Sequence, residues 1–187
     1  RKQKQYQSSA SQVAQGRQQA DQGQQAIDQG QAKLDGSRQQ LEGGKTQADQ
    51  AVSQAQEAQK QCRQGIAQVT GLIQAIDAQL ATPGLTPQQQ EELNGKKAGL
   101  QAQLTELNRQ SPQIDALAAK AKAGRDAFMT NQYTPGMAQV AANQQTLDAK
   151  RQELTQARDK VNEGERQLAQ GKAQLDQASA QLAKGKA

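Results

Sequence analysis

Histidine and tryptophan do not occur in this chain of 187 residues, and phenylalanine and cysteine occur once each. Without histidine there is no imidazole base, no histidine ligand for zinc, and no Ser–His or Cys–His nucleophile pair. The lone cysteine, Cys62, cannot close a disulfide within the chain. It is expected as a small core residue or as half of an intermolecular bridge. Aromatic residues make up 2%, too few to supply the stacking platforms of a single-strand nucleic-acid binder. The net charge of +5 comes from 23 basic and 18 acidic side chains that are interspersed rather than gathered. No nucleic-acid surface is therefore expected. No apolar run approaches the ~18 residues that a membrane span needs, and no signal-peptide pattern opens the chain. The first residues are Arg1-Lys2-Gln3-Lys4 rather than Met, and the repeat described next reaches almost to both ends. A piece of a longer protein is the expectation.

With 34% hydrophobic residues and a mean hydropathy of -0.98, the chain cannot build a large compact core. Such polar chains stay disordered unless a pattern orders them. Here there is one. Steps of seven from Tyr6 reach Val13, Ala20, Ile27, Leu34, Leu41, Ala48, Ala55, Cys62, Val69 and Ile76. A second stripe, three residues on, is small: Ser9, Gly16, Gly23, Gly30, Ser37, Gly44, Ala51, Ala58 and Gly65, ending at Leu72. Ala, Gln, Leu, Lys and Arg, all good helix formers, fill the positions between. This composition with this period reads as a long helix or coiled coil, and a strict seven implies a left-handed supercoil with a partner. An uninterrupted helix of roughly 80 residues, ~120 Å long, is expected.

The other end repeats the rule in reverse. Leu182, Leu175, Leu168, Val161, Leu154, Leu147 and Val140 form one stripe, and Gly185, Ala178, Gly171, Gly164, Ala157, Lys150 and Asn143 the other. Each arm is the natural partner of the other, so the chain must reverse between them. That middle region holds all four prolines. Thr86-Pro87, Ser111-Pro112 and Thr134-Pro135 each offer a hydroxyl cap followed by Pro at a first helical position. Helix starts are expected at Pro87, Pro112 and Pro135. Two arrangements fit: a return strand that is one broken helix, or middle helices folded into a four-helix head. Beyond residue 60, Ile66, Ile73 and Leu80 join Val69, Leu72 and Ile76 and widen the apolar face, which favours the head. The expected fold is all-α: a long antiparallel coiled-coil helical hairpin with a short helical-bundle head. Its parts are an ascending arm (1–59), a head or tip (60–140) and a descending arm (141–187).

Each interior glycine costs about 1 kcal/mol relative to alanine, so the small stripe needs a compensation. Without a Cβ, two backbones approach closer than the usual ~8–10 Å, and a large residue can sit on bare backbone. The expected seam comprises Val13, Gly16, Gly23, Ile27, Gly30, Leu34, Leu41 and Gly44 with Leu154, Val161, Gly164, Leu168, Gly171, Leu175 and Leu182. Gly43-Gly44 could instead soften a long rod. Gln12, Gln19, Gln40, Gln47, Gln54 and Gln61 stand immediately before large positions, where charged residues set pairing in many coiled coils. Asp21, Asp28, Asp35, Glu42 and Asp49 follow the large stripe and are expected on a solvated face, not at a metal. Glu91-Glu92 is expected in a first helical turn, where the dipole favours it. The glycines sit at heptad spacing, not in a phosphate-cradling loop. No catalytic, metal or cofactor-binding residue is expected, and the chain is not expected to be an enzyme.

The runs GQQAIDQGQAKLDGSRQQLEGGKTQ and GERQLAQGKAQLDQASAQLAKGK resemble the extracytoplasmic insertions of actinobacterial MMPL-family transporters, membrane proteins of the resistance–nodulation–division type. The resemblance covers both arms and rests on a repeat rather than a signature; residues 82–135 match no motif. It implies a rod in the periplasm or cell envelope, part of an inner-membrane protein that exports lipids or siderophores. Its partners would be the rest of the transporter, further copies along the rod and an envelope protein at the head. The extracytoplasmic stalk of the YhgE/Pip phage-infection family carries similar Gly/Leu heptads and stands as the alternative. An amphipathic lipid binder is a weaker third, because a stripe of Ala and Gly anchors poorly in lipid.

Overall fold

The computed structural model describes residues 2–185, and among them every regular element is a helix. The fold class is all-α, as the repeat predicts. Helix α1 (Lys2–Leu80) spans 79 residues without a break, so none of its many internal glycines interrupts it. It ends where ATPGLT (81–86) begins. Pro83 has no N–H and turns the residue before it away from helical geometry. Gly84 completes the reversal at φ +94°, a conformation that only glycine adopts without strain.

Helix α2 (Pro87–Phe128) starts as the sequence predicts. The Gln89 N–H donates to Thr86 Oγ1 at 3.2 Å, and the Thr86 N–H donates to Gln89 Oε1 at 2.9 Å. This reciprocal pair is a capping box, with Pro87 at the first helical position.

Of the other two expected starts, the one at Pro112 is corrected, and the one at Pro135 falls at Thr134 without the expected cap. Ser111 and Pro112 lie inside α2, and no helix begins there. A proline in a helix interior costs about 3 kcal/mol. Packing on both sides of it opposes the break: Leu107 and Ile114 are half-buried, Ala118 is buried, and Leu107 lies against Gly65. The pair of middle helices expected in a bundle head is thus one helix, α2.

Thr134 is no N-cap either. It has helical φ and ψ (-61°, -51°) and begins α3 (Thr134–Lys184) directly after a five-residue π-helical turn, Met129–Tyr133. Its N–H donates to Met129 O, five residues back. In a regular α-helix the ring of Pro135 would crowd the carbonyl of Asn131, four residues back. The Thr-Pro signal was real: α3 begins within one residue of Pro135, but it continues from the widened turn instead of being capped by Thr134.

The chain divides into two compact units, Arg1–Gln40 with Met137–Ala187, and Leu41–Gly136. In the first, Ala20, Ile27, Leu34, Val140 and Leu147 are buried; in the second, Cys62, Val69 and Ala118 are.

Candidate functional site

The candidate site is the large–small seam, together with the polar groups that flank it. In the first unit large residues meet glycines reciprocally. A Cβ placed on Gly16 would lie 2.9 Å from Val161 Cγ2, and one on Gly164 would lie 2.9 Å from Val13 Cγ2. The series continues with Gly23 under Leu154 (3.3 Å), Gly30 under Leu147 (2.8 Å) and Gly171 beside Tyr6 (4.0 Å). Rising numbers on α1 meet falling numbers on α3 in equal steps. Ile27 and Leu34 are buried at 3% and 8% exposure. Leu168 and Leu175 are half-buried and, with Tyr6, Val13 and Val161, line a groove of ≈ 620 Å³ rimmed by Gln5, Gln12, Gln167 and Gln174. Leu182 does not join the seam: it is 67% exposed. Continued by sevens, the series would set it against a position before residue 1.

In the second unit Leu41 places both its methyls 2.9 Å from a Cβ built on Gly136. Gly44 meets the only phenylalanine, with Phe128 Cζ 2.6 Å from an added Cβ, while a Cβ added to Gly43 would meet nothing within 4 Å beyond its own helix. The two adjacent glycines therefore have different roles, and only Gly44 belongs to the seam. Gly65 faces Leu107 at 3.5 Å. Cys62 is buried, and its thiol donates to the Leu107 carbonyl at 3.8 Å, the core placement among the two expected. Leu72, expected on the widened apolar face, is 48% exposed, and Leu117 is 63% exposed.

The flanking electrostatics differ from expectation. Amide contact across the first unit is made by Gln31 and Gln144, which exchange two hydrogen bonds of 3.2 Å, rather than by the glutamines before the large positions. Arg151 also donates to Gln31 at 2.9 Å, and Arg17 pairs with Glu165 at 2.7 Å. Asp21, Asp28 and Asp35 are exposed as expected, but Glu42 and Asp49 have partners on other elements. Tyr133 donates to Glu42 at 2.7 Å, and Arg125 Nε donates to Asp49 at 2.5 Å while Lys45 holds the other carboxylate oxygen at 2.9 Å. The hydrogen bonds from Lys45 and Arg125 hold the Asp49 carboxyl below its usual 3.8, and the bond to Asp49 raises Lys45. Donation to Glu42 raises the Tyr133 phenol above its usual 10.0. Phe128 and Tyr133 complete the group, with ring centroids 6.4 Å apart. The sequence signal for this cluster was the concentration of two of its three Phe and Tyr residues within six positions.

Glu91 and Glu92 lie one turn inside α2 rather than in its first turn, and Glu92 pairs with Lys96 at 2.9 Å. Glu106 is held at about 2 by hydrogen bonds from Arg109 and Gln110 on its own helix. Among the described residues no group of three Cys, Asp or Glu side chains is placed to hold a metal, and no helix is long and apolar enough to cross a membrane. No family model matches the chain, and neither a curated protein nor a solved structure matches it.

Proposed function

We propose that the chain is a non-catalytic antiparallel coiled-coil hairpin that works as a rod or spacer in the cell envelope, most simply as the extracytoplasmic insertion of an MMPL-type transporter. The observation that carries the mechanical part is the reciprocal Val13–Gly164 and Val161–Gly16 contact. Two helices that alternate large and absent side chains gain close approach. They also resist slipping, because a shifted register sets large against large. Membership of the transporter class rests on the Gly/Leu repeat alone, and so does the YhgE/Pip alternative.

The test has two parts. Cysteines at positions 16 and 161 in a Cys62→Ala background should crosslink within one molecule, and small-angle scattering should give a maximum dimension above ~90 Å, from the helical rise. Crosslinks formed only between copies would overturn the hairpin. The residues flanking this segment then decide its class: a transporter brings many more membrane spans than a YhgE/Pip protein, and none on either side would overturn both.

A further inference from the structure

The second unit contains a discontinuity that the heptad pattern does not announce. Leu41 meets Gly136, yet three residues later Gly44 meets Phe128, eight residues earlier on the returning chain. Five of those eight are the π turn Met129–Tyr133. Beyond it the match is regular again: Gly65 lies three heptads after Gly44, and its partner Leu107 lies three heptads before Phe128. The seam thus runs in one register up to Gly136 and in another from Phe128 onward, and the change falls at the π turn.

We propose that Met129–Tyr133 is a register-changing joint, which fixes the residues of α2 that face α1 and lets the seam on either side pair independently. Contacts to α1 pin the joint at both ends. The Leu41 methyls cover Gly136 on one side, the Phe128 ring covers Gly44 on the other, and the Tyr133–Glu42 hydrogen bond lies between. A π turn carries more residues per turn than an α turn and occurs singly, often where function depends on it. Removing one residue restores an α-helical count there and turns α2 by about 100° relative to Thr134–Gly136 and the Leu41 contact within the same unit, one residue in 3.6. Leu107 would then no longer face Gly65. The inference holds whether or not the chain belongs to a transporter.

The test uses the full chain with Cys62→Ala and the cysteine pair Gly65→Cys with Leu107→Cys, read as the yield of a short thiol crosslinker. Asn131, an exposed residue of the joint, is either deleted or changed to Ala. Asn131→Ala should leave the yield at the parental level, and the deletion should lower it at least tenfold. A deletion variant that keeps the parental yield overturns the proposal. If the deletion abolishes the helical circular dichroism, the intact joint decides the matter through Gly65→Cys with Pro112→Cys, the pair that the register below the joint would bring together. A yield for 65–107 at least tenfold above 65–112 supports the joint; equal yields, or the reverse order, overturn it.

Discussion

The two units use similar sequence to opposite effect. The second holds the denser apolar stretch of α1, with Ile66, Val69, Leu72, Ile73, Ile76 and Leu80, yet it buries only Cys62, Val69 and Ala118. The first has a sparser stripe and buries Ala20, Ile27, Leu34, Val140 and Leu147. Burial therefore follows the partner, not the supply of apolar residues. Two facing helices cover only a narrow stripe, and a wider apolar face leaves residues such as Leu72 half in water. Polar groups also tie the helices of the second unit, as Gln31–Gln144 and Arg17–Glu165 do in the first: Asp49–Arg125 and Asp77–Lys97 are ion pairs at 2.5 and 2.6 Å, and Gln59 donates to Asp115 at 2.6 Å.

The sharpest way to break this contrast is to truncate one large residue in each unit. Ile27→Ala removes a side chain that is 3% exposed, and should cost roughly 2–5 kcal/mol in denaturant unfolding. Leu117→Ala removes an isomeric side chain of the same size that is 63% exposed, and should change stability by no more than about 0.5 kcal/mol. Equal losses would mean that the second unit covers its leucines with something beyond α1 and α2.

Glycine substitutions sharpen the comparison further. At Gly44 the new methyl would meet the edge of the rigid Phe128 ring at 2.6 Å. Overpacking costs about 1–3 kcal/mol against the ~1 kcal/mol of helix propensity gained, so Gly44→Ala should destabilise by about 1 kcal/mol. Gly43 faces open space, so Gly43→Ala should stabilise by about 1 kcal/mol. In the first unit the obstacle at Gly30 is the end of the flexible Leu147 side chain, which can rotate away, and Gly30→Ala should fall between the two. Thermal melts of the three variants give the order directly; Gly43→Ala and Gly44→Ala shifting in the same direction would remove the distinction between seam and open glycines.

The helical class, the end of α1, the Thr86 cap and the glycine–aliphatic pairs of the first unit were legible because each depends on local spacing. The prolines were legible only as breakers. Thr86-Pro87 starts a helix because Pro83 and Gly84 have already turned the chain. Ser111-Pro112 has no such neighbour, and packing around Leu107 and Ala118 carries the helix through. Thr134-Pro135 has the same dipeptide chemistry and also stands at a helix start, but that start is joined to a π turn rather than capped, where Leu41 and Gly44 pack against the chain from far away in sequence. The cross-element partners of Glu42 and Asp49 were hidden for a similar reason. Heptad position alone places Asp49 with Asp21 and Asp28, and only the residues facing it bring Arg125 within reach.

That hidden ion pair gives the smallest of the expected effects and one specific to the second unit. The bonds from Lys45 and Arg125 lower the folded-state pKa of Asp49 below 3.8. A carboxyl with a depressed folded pKa contributes stability that is present above its unfolded pKa and lost as pH falls through the folded value. The contribution should therefore be intact at pH 5 and decline below about 4. Asp49→Asn removes that titration, so its melting temperature should fall less than the parent's between pH 5 and pH 2, although it starts lower at neutral pH. The remaining acid sensitivity includes Glu106, held at about 2, and Glu92 beside Lys96, whose partners lie on their own helix and do not join α2 to α1. If Asp49→Asn melts with the parent's full acid dependence, Asp49 does not fasten the second unit, and the weight of holding α2 to α1 shifts to the other contacts between them, Gly44–Phe128, Gly65–Leu107, Asp77–Lys97 and Gln59–Asp115.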